Sequence, residues 1–468
     1  MAALFAPAIP GWLALRVCFP GFREGPCDIV IGFLLGQSFF TLAMFIATFA
    51  GIAFERLSLG LLLAVPTVAF GWLYRSRERG GGRVRETRPW VMTPCREFGV
   101  VELLLSGGLL YVFVMVMASI AITSIYDIPG TCIWGLKAKV FFLEKTVSSD
   151  VFLDESMRSA QRSYPLGFPL LLTWLYVFLG ETDDYVVRWV PVTLLAMLVL
   201  YLLSHLRREG LSPRRSLFFV LMLVLTTTWA AICTNLYAES LLLLDGVAAF
   251  TILRAYVEDP GRKDCLRLGF VLLSGSVWIK HEGLVMYVVG VLSVATLTWL
   301  IGPRADSRST TKDWVWAVLP GLLVALPWTL FTLGYGLAPQ DFVRNPAQAL
   351  NWDRLGYAWQ AALMFGKEMF LDFAGSGIPG PLFLAGLLLV RVGPEARHRL
   401  RFYVWSSLAM VLVFSLIFIF TDQELSWHLR TVKRLSLLPT MLLWLCVVEF
   451  DRQSTMPPRA ASRVPARA

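Results

Sequence analysis

The sequence predicts an all-α, polytopic membrane protein with about twelve transmembrane helices. Of its 468 residues, 56% are hydrophobic and only 16% are charged, a balance that excludes an ordinary soluble globular protein. Continuous apolar runs of membrane-spanning length, about 20 residues each, recur between Asp28 and Phe450. They lack the two-residue alternation of barrel strands, so we expect helices.

Arginine and lysine residues concentrate in alternate loops between these apolar runs. The basic segments are 75–88, 207–215, 262–267, 304–312, 391–401 and 452–467. Such loops lie in the cytoplasm under the positive-inside rule. The net charge of +9 therefore reflects membrane orientation, and we expect no nucleic acid partner.

The predicted spans start from a cytoplasmic N-terminus and place every basic segment on the cytoplasmic side. They lie near 28–50, 57–74, 98–122, 186–206, 215–234, 239–256, 267–281, 283–301, 314–333, 378–392, 402–421 and 435–450. Polar regions near 123–185, 334–377 and 421–434 then face outward, so we expect the chemistry of the protein there.

The apolar segment 164–179 is predicted to stay on the outer side without crossing. If it crossed, every later basic loop would fall on the wrong face of the membrane. The segment is short, begins Tyr-Pro-Leu-Gly-Phe-Pro at Tyr164 and ends in the acidic turn 181–184. We predict an interfacial or re-entrant juxtamembrane helix near 164–180.

Several functional classes lack their usual signatures in this sequence. The seven cysteines are scattered, which indicates neither a disulfide framework nor a zinc site. The chain has no Walker A, His-Glu-x-x-His or Gly-x-Ser-x-Gly motif, which argues against nucleotide hydrolysis and zinc hydrolase chemistry. No basic region precedes the first apolar stretch, so we expect no cleavable signal peptide. We expect no cofactor, and a divalent metal stays open.

Asp127 is the first candidate for chemistry, because it follows the span 98–122 and opens the largest outer loop. A carboxylate beside apolar walls can have its pKa tuned for general-base work. It can equally be a hydrated residue at the end of a helix, or one that pairs with Lys137. Position alone does not separate these alternatives.

Lys280, His281 and Glu282 precede Gly283 at a predicted outer turn between two spans. A cation, an imidazole and an anion on a flexible turn can bind a phosphate or orient a substrate hydroxyl. The alternative is a polar hairpin tip with an internal ion pair.

The segment that begins at Ser426 brings three cations, Arg430, Lys433 and Arg434, to the outer side just before a predicted span. The topology rule disfavours cations there, and arginine offers forked donors that suit phosphate oxygens. We therefore favour phosphate binding, assisted by His428. The alternative is a belt of anchoring side chains around Trp427.

Other acidic residues have simpler explanations. Asp150, Asp154 and Glu155 in the first outer loop can supply a second acid or a metal ligand, but a solvated loop explains them more simply. Asp245 lies deeper in a predicted span, where helix packing with a polar neighbour is the expected role.

A series of short motifs falls in one order along the outer segments. They are Asp127, Trp134 with Lys137-Ala138-Lys139, Tyr164-Pro165-Leu166, Tyr237-Ala238-Glu239, Trp278 to Gly283, and Trp427-His428-Leu429 followed by Arg434-Leu435. This order resembles the GT-C superfamily, the multispanning glycosyltransferases that use polyprenyl-phosphate sugars, and within it the bacterial Rgt-type, aminoarabinose and protein-mannosyl transferases. The resemblance covers about residues 98–445. Tyr-Pro-Leu-Gly replaces the commoner double proline, and no second acid accompanies Asp127.

The resemblance implies a GT-C-like fold and an inverting transfer of a sugar from a polyprenyl-phosphate donor. The acceptor would be a hydroxyl of a cell-envelope lipid, glycan or protein on the periplasmic face of a bacterial inner membrane. Asp127 would take the acceptor proton. The implied donor-phosphate and substrate contacts are Lys280, His281, Glu282, His428, Arg430, Arg434, Trp134, Lys137 and Tyr164.

We expect three parts along the chain. Residues 1–97 form a two-span extension with a basic cytoplasmic loop, 98–450 form the GT-C-like catalytic membrane domain, and 451–468 form a basic, disordered cytoplasmic tail. Two rival classes stay open. A polymerase, ligase or flippase for lipid-linked sugars would also carry a large outer loop with arginines. A secondary transporter would place ionisable residues near the midplane in two related halves.

Overall fold

The structure, a computed structural model, describes residues 2–22, 25–79, 99–123, 125, 127–301, 311–337, 352–373, 375, 378–420 and 425–455. The regular elements in this part of the chain are all helices, as the sequence predicts. The N-terminal helices are α1 (Ala2–Phe5), α2 (Ala8–Cys18), α3 (Cys27–Phe49), α4 (Arg56–Arg79) and α5 (Val100–Ile122).

Short helices follow α5 before the chain enters the central bundle. They are the π-helix Pro129–Gly135, α6 (Leu136–Leu143), α7 (Asp150–Leu153), the 3-10 helix Glu155–Ala160, α8 (Gly167–Leu179) and α9 (Asp184–Val187). The central helices are α10 (Trp189–Arg208), α11 (Pro213–Val224), α12 (Thr227–Thr234), α13 (Glu239–Glu258), α14 (Lys263–Ile279), α15 (His281–Ile301) and α16 (Thr311–Gly334). The last helices are α17 (Trp352–Phe370), α18 (Pro379–Leu389), α19 (Pro394–Ile417), the 3-10 helix Phe418–Phe420, α20 (Leu425–Leu435) and α21 (Leu437–Thr455).

Among the described residues, 9 helical segments are long and apolar enough to cross a membrane. They are Cys27–Phe49, Arg56–Arg79, Val100–Ile122, Asp184–Arg208, Glu239–Glu258, His281–Trp299, Thr311–Gly334, Ala396–Phe420 and Leu429–Thr455. Each overlaps a predicted span, so the chain is a multi-pass membrane protein.

The predicted number of twelve spans is not confirmed, because three predicted spans contain shorter helices. The span 215–234 is divided between α11 and α12, where Thr226 takes an extended conformation with φ −71° and ψ 138°. The span 267–281 corresponds to α14, with 17 residues, and the span 378–392 corresponds to α18, with 11 residues. Extended backbone at Lys280 and at Val390 ends these two helices.

The predicted juxtamembrane helix is α8, which has 13 residues and is too short to cross a membrane. It ends at Gly180, whose φ of 89° reverses the chain. The residues from Gly167 to Val177 are all buried, and the helix packs against α3, α6 and α14. An apolar surface on all sides explains this burial, so α8 contacts protein around its circumference.

The first spans pack closely with the remaining bundle. α2 lies against α3 where a Cβ added to Gly11 would stand only 2.0 Å from the carbonyl oxygen of Gly32. α3 in turn packs against α8, α10 and α14. At the other terminus, Arg452 and Thr455 still belong to α21, so this helix extends past the predicted start of the tail. The remainder of the predicted tail, 456–468, lies outside the described residues.

One end of the bundle carries six charged side chains that we call the charge ring. Its members alternate in sign around a closed circuit: Arg254 with Glu209 (2.6 Å), Glu209 with Arg452 (3.2 Å), Arg452 with Glu449 (3.6 Å), Glu449 with Arg399 (2.9 Å), Arg399 with Glu258 (3.7 Å) and Glu258 with Arg254 (3.0 Å). The ring joins α13, α19 and α21 to the end of α10. α13 and α19 run from there to the opposite end, where the site lies.

Candidate functional site

A cavity of about 640 Å³ opens at the end of the bundle opposite the charge ring. Its walls come from the start of the π-helix, the turn between α14 and α15, the end of α19 and the helix α20. The predicted site residues that line it are Asp127, Tyr164, Lys280, His281, Glu282, Arg430 and Arg434. Residues separated by some 300 positions therefore share one chamber.

Asp127 caps the π-helix at the edge of the cavity. Its Oδ2 accepts a hydrogen bond of 2.7 Å from the backbone N–H of Gly130. Its Oδ1 is buried, and no donor from the described residues reaches it. Burial raises the pKa of Asp127, while the Gly130 N–H and the Arg434 charge oppose the rise and the Glu239 charge adds to it. One oxygen of this carboxyl group is thus anchored, and the other lacks a hydrogen-bond donor among the described residues.

Gly130 allows the Asp127 carboxyl group to lie this close to the backbone. A Cβ at position 130 would stand 2.9 Å from Oδ1 and 3.0 Å from Oδ2 of Asp127. Any other residue would therefore displace the carboxyl group or the π-helix. On the far side of the same helix, Gly130 and Thr131 line a second cavity of about 190 Å³.

Trp134 and Lys137 are placed behind the cavity wall instead of on its surface. Trp134 stacks on Tyr164 with ring centroids 5.8 Å apart. Lys137 is fully buried, and its Nζ donates to the carbonyl oxygen of Gln161 at 2.7 Å. This burial holds the pKa of Lys137 well below its usual range. Both side chains support the wall formed by Gln161 and Tyr164, and neither lines the cavity itself.

Lys280 and Arg434 meet at a carboxylate that we did not select from the sequence. Oε1 of Glu239 accepts from Nζ of Lys280 at 3.0 Å and from Nη1 of Arg434 at 2.8 Å. Lys280 also pairs with Oε1 of Glu282 at 2.6 Å. The internal ion pair considered for the turn 280–283 is therefore present, and it coexists with a position on the cavity wall. The only sequence signal for Glu239 was its place in the Tyr-Ala-Glu segment.

Aromatic rings fix the orientation of these charged groups. The guanidinium of Arg434 lies over the ring of Tyr237, 5.0 Å from its centroid. The ring of Tyr164 lies 5.8 Å from Nζ of Lys280 and meets the imidazole of His281 edge-on at 5.0 Å. Cation–π contacts restrict cations without removing their N–H donors, so the cations stay available to an anion.

The remaining predicted residues have different environments. Arg430 lines the cavity with an exposed side chain. His428 belongs to α20, but its side chain lies outside the described part of the chain. Oδ2 of Asp245 accepts from Ser276 at 2.8 Å, which identifies the polar neighbour expected for helix packing. The exposed Asp154 accepts a local hydrogen bond from the N–H of Ser156.

Within the described residues, no group of three or more His, Cys, Asp and Glu side chains is arranged to hold a metal ion. The groups that converge on the cavity are instead ammonium and guanidinium donors and carboxyl groups. This set suits an anionic ligand that also brings a proton to be removed.

Comparisons with known proteins give no relative for this arrangement. No protein-family model matches the chain. No curated protein and no solved structure matches it either.

Proposed function

We propose that the protein is a membrane glycosyltransferase that moves a sugar from a polyprenyl-phosphate donor to an acceptor hydroxyl. One observation carries the proposal: the half-buried carboxyl group of Asp127, with one oxygen that no described donor reaches, shares a cavity with Lys280, Arg430 and Arg434. A base and a set of cations are what this reaction needs, because a proton must be removed while negative charge develops on the leaving phosphate.

In the proposed reaction, the acceptor oxygen attacks the anomeric carbon of the sugar as the bond from that carbon to the phosphate oxygen breaks. The electron pair of the broken bond stays with the polyprenyl phosphate, and the acceptor proton passes to Asp127. Attack opposite the leaving group inverts the anomeric configuration. The raised pKa of Asp127 strengthens it as a base compared with an exposed aspartate.

Lys280 and Arg434 would bind the phosphate in the water-poor part of the cavity. Their side chains are 7% and 25% exposed, and charge interactions are stronger at such positions than in water. An ammonium group has three N–H donors and a guanidinium group has five. The ion pairs with Glu239 and Glu282 therefore leave capacity for phosphate oxygens. Arg430 would reach the same phosphate from the cavity mouth.

The apolar side of the cavity favours a lipid-linked donor over a soluble one. Val285, Phe414, Ile417 and Phe418 line it beside the cations. A prenyl chain can lie against these side chains while its phosphate contacts Lys280 and Arg434. The acceptor would be a lipid, glycan or protein of the cell envelope.

Orientation is part of the proposal. The charge ring lies at the helix ends that adjoin the basic loops 207–215, 262–267 and 391–401. With these loops in the cytoplasm, the cavity would open to the periplasmic face of a bacterial inner membrane. The cavity lies at helix ends, and this favours chemistry at one face over the midplane site of a secondary transporter.

The direct test is a transfer assay with purified protein, a panel of polyprenyl-phosphate sugars and cell-envelope acceptors. We expect transfer with at least one pair, and loss of about hundredfold or more in Asp127→Asn, since the amide cannot take the proton. Asp154→Asn makes the same chemical change in the same loop but outside the cavity, and it should keep full activity. Full activity in Asp127→Asn would refute the assignment of the base.

A further inference from the structure

Glu239 lies behind Lys280 and Arg434 when these cations are viewed from the main cavity. Lys280 and Arg434 line that cavity, whereas Glu239 lines a smaller adjoining cavity of about 30 Å³. A single oxygen of Glu239 bridges both cations, at 3.0 Å and 2.8 Å. A ligand in the main cavity would thus meet the cations from the side opposite to this carboxylate.

The surroundings of Glu239 hold its negative charge in place. It is the first residue of α13, and the N-terminus of a helix stabilises an anion. Its Oε2 is buried, and no donor from the described residues reaches it. The side chains that pair with this carboxylate are Lys280 and Arg434, so its charge acts mainly on these two cations.

We infer that Glu239 is a permanent counter-charge to Lys280 and Arg434, the two cations that would bind the phosphate. It holds Lys280 and Arg434 in position, and it limits how tightly these cations retain a phosphate. The inference rests on the proposed function and deepens it, because it assigns control of product release to a residue outside the main cavity.

The charges of substrate and product explain why such a residue is useful. A sugar phosphodiester carries one negative charge, whereas a released monoester phosphate carries about −1.5 to −2 at pH 7. The cations attract the product more strongly than the donor. A fixed negative charge behind them weakens both interactions, and it weakens the interaction with the more highly charged product by the larger amount.

Glu239→Gln tests this idea with little change in shape, because the amide oxygen can still accept from both cations. We expect the variant to bind inorganic phosphate and farnesyl phosphate about tenfold more tightly than the unaltered protein, a Coulomb effect at a partly screened distance. We also expect kcat to fall, because product release becomes slower. Calorimetric titration in phosphatidylcholine nanodiscs measures the affinities without competing anionic lipid.

A matched control exists in the charge ring. Glu449 is also buried and also bridges two arginines, Arg399 at 2.9 Å and Arg452 at 3.6 Å. Glu449→Gln should lower the thermal stability and leave the phosphate affinity unchanged. Glu239→Asp keeps the negative charge, so it should bind phosphate more like the unaltered protein than Glu239→Gln does.

The sign of the change in phosphate affinity tests the inference about Glu239. Tighter phosphate binding in folded Glu239→Gln supports the inference, and equal or weaker binding overturns it. Should that variant fail to fold, Lys280→Gln is compared with the double variant that adds Glu239→Gln. In Lys280→Gln, Glu239 is still the counter-charge of Arg434, and the double variant removes it. The added change must again tighten phosphate binding, and no change or weaker binding again overturns the inference.

Failure of the proposed function gives a different result. An absence of sugar transfer in the unaltered protein counts against the glycosyltransferase assignment. The phosphate affinities, in contrast, report on the cation pair and its counter-charge whichever group the enzyme transfers.

Discussion

The two ends of the helical bundle handle buried charge in different ways. In the charge ring, each carboxylate lies between two arginines, and no buried carboxylate oxygen of Glu209, Glu258 or Glu449 lacks a partner among the described residues. At the cavity, Asp127 and Glu239 each keep one buried carboxyl oxygen that no described donor reaches. The carboxylate oxygens of the ring are satisfied within the protein, although the buried Nε atoms of Arg254 and Arg399 have no described acceptor, whereas the cavity has carboxylate oxygens without a described donor.

This difference separates structural from functional charge. Buried ionised groups are costly unless they are paired and hydrogen-bonded. Every charge of the ring is paired within the protein, and the ring holds four helix ends together. The two carboxylates at the cavity meet the requirement only in part among the described residues, which leaves acceptor atoms that a bound ligand or water can satisfy.

The first prediction removes one member of the charge ring. Arg399→Met should destabilise the protein by about 3 kcal/mol, since Glu449 would lose its closest partner while it stays buried. Thermal unfolding of the purified protein measures this change. The matched control is Lys145→Met, which removes one cation of an exposed pair with Glu55 and should cost less than about 1 kcal/mol. Equal effects of the two substitutions would contradict a structural role for the ring.

The second prediction removes a cation of the cavity. Arg434→Gln should raise the KM for the lipid-phosphate donor by about tenfold to a hundredfold, as expected for the loss of a charged hydrogen bond. Lys433 is its neighbour on α20 and pairs with Asp372 at 3.2 Å. Lys433→Gln should therefore leave the donor KM nearly unchanged. If the two variants have the same KM, Arg434 does not bind the donor phosphate.

The third prediction moves the proposed base without removing it. Gly130→Ala should lower kcat about tenfold, because the new Cβ would stand within 3.0 Å of both carboxyl oxygens of Asp127. In α5, a Cβ at Gly107 would have no neighbour within 4 Å. Gly107→Ala should thus keep normal activity. An unchanged kcat in Gly130→Ala would mean that the position of the Asp127 carboxyl group does not limit the reaction.

Much of the fold was predictable from the sequence because bilayer thickness and loop charge act locally along the chain. Apolar runs and basic loops located the spans that the structure contains. The short helices α11 and α14 were less accessible, since a bend at Thr226 or extended backbone at Lys280 changes the conformation without changing hydropathy. Hydropathy therefore predicted twelve spans where nine helical segments reach spanning length in the described part of the chain.

The same limit applies to the site, because local sequence patterns can select residues but cannot show how distant segments pack together. Asp127, Lys280 and Arg434 could be selected because charge beside a membrane span is unusual, and the structure brings them together. The role of Glu239 depends on how the start of α13 meets α14 and α20, which no local pattern encodes. Lys137 was assigned to the substrate from its place in a motif. Only packing shows that it faces Gln161.

The central claim is that Asp127 is the base, that it shares its cavity with Arg434, and that Glu239 lies in the adjoining cavity behind Arg434. The pH dependence of kcat/KM tests it most directly, because activity needs the ionised carboxylate and falls as pH drops through the Asp127 pKa. We expect this fall at a pH above the ordinary aspartate pKa of about 3.9. Glu239 raises the Asp127 pKa and Arg434 lowers it. Glu239→Gln should therefore move the fall to lower pH, and Arg434→Gln should move it to higher pH. If neither substitution moves it, or both move it in the same direction, the account is contradicted.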